Sequence, residues 1–178
     1  NVVVQKHVNN RTIIDLARFF KDLGHVVRFI EYMDVGTLNN WSPKDVVSAE
    51  EILSAINGEL PLEPLPSNYT GEVASRYRYK NSGNEIGIIS SITQPFCRDC
   101  TRLRLSPEGK LATCLFAQLG TDLRAPLRAG LNDGDIAEII SNVWKNRVDR
   151  YSELRSLKQT SQKEPTKLER VEMYKIGG

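Results

Sequence analysis

Three cysteines carry the strongest chemical signal in this chain. Cys97 and Cys100 form a C-x-x-C pair inside Phe96-Cys97-Arg98-Asp99-Cys100-Thr101-Arg102-Leu103-Arg104-Leu105, and Cys114 follows after a stretch that can fold as a hairpin. The pair puts two thiols close enough to bind one centre, and a tight turn between 105 and 110 can bring Cys114 back beside them. An odd, closely grouped set cannot be a paired disulfide framework, so a reducing compartment and a metal or redox role fit better. Three thiolates are one short of the usual structural zinc set, and neither His7 nor His25 lies near in sequence to complete it. Iron–sulfur clusters normally take four cysteines; three would leave one iron open to a ligand from outside, which suits the holding of a substrate. Spacing alone leaves three readings open: a cluster, a zinc site, or ordinary buried thiols.

Beside the cysteines stand Arg98, Arg102, Arg104 and Lys110, opposed by only Asp99 and Glu108. In a strand, residues 102 and 104 point to the same face. Two guanidinium forks on one face could grip a phosphate chain bidentately. The plainer reading is an exposed strand whose arginines meet water. Their position directly after the cysteine pair favours the phosphate.

These residues need a scaffold, and the chain is long enough to build one. Its 178 residues contain 40% hydrophobic and 26% charged residues, which excludes a wholly disordered chain. With 24 Lys+Arg against 22 Asp+Glu the net charge is +2, too even for a protein that coats duplex nucleic acid. No apolar run reaches the roughly 20 residues that cross a bilayer. The chain begins at Asn1 and opens inside an apolar run, Val2-Val3-Val4, so it is expected to be the C-terminal portion of something longer.

The first third reads as a βαβ unit. A strand at 1–5 leads to a helix near 10–23, with Ile13, Leu16, Ala17, Phe20 and Leu23 at helical spacing, and a second strand follows at 26–32. Strands joined this way should be parallel neighbours under covering helices. Arg28 is a charge inside the second strand and needs a partner, either a substrate or a structural ion pair. Met33 follows that strand directly, at its C-terminal end, although a core methionine would also fit. Ser48-Ala49-Glu50-Glu51 has capping-box spacing and should start a short helix. Pro61, Pro64 and Pro66 mark residues 60–70 as a loop that ends the parallel region. From 72 onward the pattern changes to hairpins: strands near 72–79 and 85–92, then 101–105 and 110–115. Helices are expected from Asp122 to Arg128 and from Asp133 onward, the latter with Ile136, Ile139, Ile140, Val143 and Trp144 on one face. Residues 156–170 are polar and should be mobile. The expected organisation is thus 1–70, 71–155 and a tail at 156–178 ending in Gly177-Gly178.

The stretch from Phe96 to Phe116, the strand Arg28-Phe29-Ile30-Glu31-Tyr32-Met33 and the terminal Ile176-Gly177-Gly178 resemble the MoaA family of GTP 3′,8-cyclases, radical S-adenosylmethionine (SAM) enzymes of molybdenum-cofactor biosynthesis. The resemblance runs the whole length of the chain. It implies an α/β fold: the last strands and helices of an incomplete (β/α) barrel, plus a C-terminal α+β extension carrying a cluster-binding hairpin. It also implies a lyase activity, in which a first 4Fe-4S cluster on an N-terminal C-x-x-x-C-x-x-C motif cleaves SAM to a radical. That radical takes hydrogen from the ribose C3′ of GTP, and the carbon radical attacks C8 of the guanine. The N-terminal motif is absent here, so the expected partner is a missing N-terminal half of the same protein.

Carried over by position, the resemblance implies that Cys97, Cys100 and Cys114 hold a second 4Fe-4S cluster with an open iron. Arg102, Leu103 and Arg104 would contact GTP, Arg28 would aim toward it, and Met33 would contact SAM. Gly177 and Gly178 would reach into the active site, where only glycine lets the backbone pass so closely. A cytoplasmic location is expected (mitochondrial in a eukaryote), with no membrane and no nucleic-acid partner, and a homodimer as an open assembly. The rival reading is a zinc-binding interaction module that touches nucleic acid through Arg98, Arg102 and Arg104.

Overall fold

The computed structural model describes residues 1–36, 38–117, 120–158 and 172. It divides into two compact units, Asn1–Met33 with Trp41–Cys100, and Asp34–Asn40 with Thr101–Gly178.

The first unit is a five-stranded mixed sheet. Its strands are β1 (Val2–Val4), β2 (Val27–Glu31), β3 (Leu62–Leu65), β4 (Ser75–Tyr79) and β5 (Glu85–Ile89), in the spatial order β1-β2-β5-β4-β3. β1, β2 and β5 are mutually parallel, and β4 and β3 continue the sheet antiparallel. Helices α1 (Ile13–Asp22) and α2 (Ala49–Glu59) supply the apolar stripes that bury one face. Val4, Ala17, Phe29, Ile52, Ile56 and Ile86 are completely buried between sheet and helices. Tyr79 joins them, and its hydroxyl donates to the Ala17 carbonyl at 3.3 Å. Burial pushes that hydroxyl up to about 12.

Local chemistry explains the start of α2. Ser48 accepts from the Glu51 amide at 3.1 Å, and the Glu51 carboxylate accepts from the Ser48 amide at 2.8 Å, the reciprocal cap that the spacing predicts. That backbone hydrogen bond from Ser48 holds the Glu51 carboxyl below its ordinary value.

Two sequence expectations change here. Residues 62–65 form a strand rather than loop, despite Pro64. β3 lies at the outer edge of the sheet, where a missing N–H leaves no ladder bond unmade. The first unit also runs to Cys100, well past the change of pattern near residue 70. The 75–89 hairpin belongs to the same sheet because β5 pairs with β2 in parallel register, Arg28 opposite Gly87 and Phe29 opposite Ile88. Sequence adjacency suggested a separate hairpin domain; the long-range pairing is what joins it to the first strands.

The second unit holds a small antiparallel sheet of β6 (Arg104–Leu105), β7 (Lys110–Ala112) and β8 (Thr121–Asp122). Its turn closes through Ser106, whose amide donates to the Lys110 carbonyl and whose hydroxyl accepts from the Lys110 amide. Gly109 takes φ +81° there, a conformation that side chains rarely adopt. Asp122 caps α3 (Arg124–Arg128) by accepting from the Arg124 and Ala125 amides, and Asn132 with Asp135 forms a second capping box on α4 (Asp133–Lys145). On α4 the expected apolar stripe, Ile136, Ile139, Ile140, Val143 and Trp144, is half-buried while the residues between are exposed. Helix α5 (Tyr151–Lys158) extends past residue 156, so 156–158 are helical; the rest of the expected tail, Glu172 apart, lies outside the described residues. The mixed α/β class stands. Among the described residues no helix is long and apolar enough to cross a membrane.

Candidate functional site

In the first unit the chemistry gathers at the C-terminal ends of the parallel strands. Met33 is half-buried, two residues beyond the end of β2. Arg28 lies on the sheet face opposite the helices and is exposed. The strand alternation accounts for this: Val27, Phe29 and Glu31 turn inward and Arg28 outward. Its stem lies across Gly87, where a Cβ would stand 2.9 Å from Arg28 Cγ and 3.2 Å from the Ala74 methyl. Among the described residues none forms an ion pair with Arg28. The neighbouring Arg76, by contrast, is committed to Glu85 at 2.7 Å.

β5 runs out into a closed turn, with the Gln94 amide donating to the Ser90 carbonyl at 3.2 Å, and then into the cysteine pair. Cys97 and Cys100 are half-buried thiols on one turn, the Cys100 amide reaching the Cys97 carbonyl at 3.4 Å. Beside them opens a cavity of about 560 Å³, lined by Tyr69, Thr70, Glu72, Phe96 and Asp99 among others.

In the second unit Cys114 is likewise a half-buried thiol, and its Sγ accepts from the Phe116 amide at 3.4 Å. Phe116 stacks on Tyr151 with ring centroids 4.4 Å apart, and the Tyr151 hydroxyl donates to Asp34 at 2.7 Å. Thr113 donates to the Asp149 carboxylate in the same region.

The arginine segment shows an inverted alternation. Arg102 and Arg104 are half-buried, whereas Leu103 is 37% and Leu105 60% exposed. The strand β6 holds only Arg104 and Leu105 of this segment, so the strand expected at 101–105 is shortened to its last two residues. The two arginines are thus more covered than the two leucines.

Of the tail only Glu172 is described. Its carboxylate lies so close against Gly36 that any side chain at that position would overlap it, and Gly36 has φ +72°. Gly177 and Gly178 lie outside the described residues.

The donor set fits an iron–sulfur group in kind: three thiols, two of them on one turn, and one already receiving an N–H as cluster-bound sulfur commonly does. Among the described residues no three His, Cys, Asp or Glu are gathered closely enough to hold a metal ion.

The sequence reading passed over Glu31. Its carboxylate is completely buried and accepts hydrogen bonds from four donors. The available signal was a glutamate in an apolar run at the end of a strand.

Residues 25–153 match the family model described as Molybdenum Cofactor Synthesis C. The chain is 50% identical over 168 residues to a GTP 3′,8-cyclase of Acidothermus cellulolyticus, covering 92% of this chain and 46% of that protein. It is 48% identical over 178 residues to one from Aquifex aeolicus, covering 100% of this chain and 51% of the relative. One from Staphylococcus aureus is 40% identical over 179 residues, with 52% of its length covered. The chain spans about half the length of these curated relatives. With the family model covering well over half of the chain, the protein belongs to the Molybdenum Cofactor Synthesis C family.

Proposed function

We propose that this chain is the substrate-holding part of a GTP 3′,8-cyclase, joined in the complete enzyme to an N-terminal part that cleaves SAM. The relatives that bear this name support it, and so does the length they have beyond this chain. The observation that carries the reading is the arginine segment. Arg102 and Arg104 are half-buried, shortly after the cysteine pair, while Leu103 and Leu105 are exposed.

In this reading Cys97, Cys100 and Cys114 hold the second 4Fe-4S cluster through thiolates. When bound, that cluster supplies an open iron that can fix the guanine end of GTP. Arg102 and Arg104 grip the triphosphate through charge-assisted, bidentate hydrogen bonds, with Leu103 in the same contact segment. Arg28, exposed on the sheet face opposite the helices, would face the lumen of the completed (β/α) barrel and add a third positive charge there. Met33 sits at the strand end where barrel active sites are built and contacts SAM. Holding the ribose in one orientation lets a hydrogen leave C3′ and a bond form to C8 without either end drifting. In the same reading Gly177 and Gly178 belong to that site. A reducing cytoplasm suits the three thiols.

The test is anaerobic reconstitution of the chain with iron and sulfide. Wild type should turn brown and absorb in the visible, and Cys97→Ala, Cys100→Ala and Cys114→Ala should each lose nearly all bound iron. In the complete enzyme these variants should lose cyclisation while SAM cleavage survives. A colourless wild-type protein that takes up zinc would favour the interaction module instead.

A further inference from the structure

Glu31 ends β2, yet its carboxylate does nothing for that strand. Oε1 accepts from the Ala49 amide at 2.7 Å and from the Thr93 hydroxyl at 2.5 Å. Oε2 accepts from the Ile92 amide at 2.7 Å and the Thr93 amide at 2.8 Å. The Ser91 hydroxyl donates to the Glu31 carbonyl at 3.2 Å. Three consecutive residues, 91–93, are thus anchored on one side chain and its own backbone. Ala49 is the first residue of α2, so the buried charge also sits against a helix N-terminus.

The anchored segment is the turn that delivers the cysteine pair. Ser90 and Gln94 close it on themselves through two contacts, the Gln94 amide to the Ser90 carbonyl and the Ser90 hydroxyl to the Gln94 carbonyl at 3.4 Å. Between that closed turn and Cys97 lie only Pro95, whose φ is fixed, and Phe96. There is little slack through which the thiols could lose the position the turn imposes.

We infer that Glu31 is a positioning residue for the cysteine pair: by holding residues 91–93 it sets where Cys97 and Cys100 present their thiols to the cluster. The last clause rests on the cluster reading above; the positioning of the thiols does not. An isosteric amide cannot serve, because its NH₂ would face N–H donors. Outer contacts of this kind typically govern metal affinity by about 10- to 100-fold.

The experiment compares wild type with Glu31→Gln, Thr93→Val and Thr93→Ser in the whole chain. In the metal-free protein, iodoacetamide should alkylate Cys97 and Cys100 several-fold faster in Glu31→Gln, with the rate at Cys114 unchanged. Thr93→Val should show a smaller increase at the same two cysteines, and Thr93→Ser should restore the wild-type rate. After reconstitution, Glu31→Gln should lose iron to a chelator about 10-fold faster or more. Unchanged rates at Cys97 and Cys100, or equal increases at all three cysteines, would overturn the inference. Should Glu31→Gln not fold, the Thr93 pair decides alone by the same criteria. A wild type that takes up no iron defeats the cluster reading, and the alkylation pattern still judges the positioning role.

Discussion

In the first unit Val4, Phe29, Ile52, Ile56 and Ile86 have lost essentially all contact with water, whereas in the second the buried apolar residues among those described are Val35, Leu111, Ala112 and Leu123. The strands of the first are three to five residues long and backed by helices of ten and eleven residues; those of the second are two or three. Helix α4, the longest among the described residues, buries no residue completely. Among the described residues the first unit therefore carries the larger hydrophobic core, and the second shows chiefly turns, caps and side-chain contacts. Regions of the second kind open at low free-energy cost, and metal ligation or substrate binding adds stability where a core does not. The arginines and Cys114 belong to the thinly packed unit, and Cys97 and Cys100 to the last turn of the well-packed one.

The sharpest way to break this contrast is core truncation. Ile56→Ala should destabilise the first unit by about 2–5 kcal/mol, because a fully buried site leaves a cavity. Leu111→Ala, at the thin centre of the small sheet, should cost distinctly less. Equal losses in chemical denaturation would show that the second unit has more core than its burial implies.

A smaller effect separates holding substrate from holding the fold. Arg102→Ala or Arg104→Ala in the complete enzyme should weaken GTP binding by roughly 1.5–3 kcal/mol, the worth of charge-assisted hydrogen bonds, with iron content unchanged. Lysine should rescue only in part, lacking the planar fork. Calorimetric GTP titration of each variant checks this, and unchanged affinity in both would return the pair to an ordinary strand face.

The smallest expected effect concerns pH and only the first unit. Tyr79 is pushed up to about 12 by burial, from an ordinary value near 10. A phenol that ionises later in the folded state contributes stability fully present below pH 10 and lost as pH rises toward 12. The loss should reach on the order of 1 kcal/mol by about pH 11. Tyr79→Phe should flatten that slope in alkaline denaturation; an unaltered slope would assign it to other groups.

Local signals in the chain were legible wherever the physics was local. The capping box at Ser48 and Glu51, the turn at Ser106–Gly109 and the apolar stripe of α4 each depend on residues within one or two helical turns of each other. The C-x-x-C pair and the paired arginines were visible for the same reason. Pro64 misled because its meaning depends on whether its strand is central or at an edge, which neighbours far away in sequence decide. The face that Arg28 takes depends on the fold in the same way: alternation shows that it faces away from Phe29, but not which face the helices cover.

By itself, then, the sequence determined the three thiols, the arginine pair, the helix starts and the family resemblance, all of them matters of residue type and short spacing. Only the tertiary structure decided that β5 lies beside β2, so that a hairpin begun at Ser75 completes the sheet begun at Val2. Only it could show that Arg102 and Arg104 are half-buried while Leu103 and Leu105 are exposed. Glu31 is the clearest case. A glutamate at the end of a strand has many possible fates, and its carboxylate became an anchor for residues 91–93 only because parallel pairing brings amides some sixty positions away within 2.8 Å of it. Buried charge is tolerated where donors converge, and convergence is a property of the fold rather than of any short stretch of sequence.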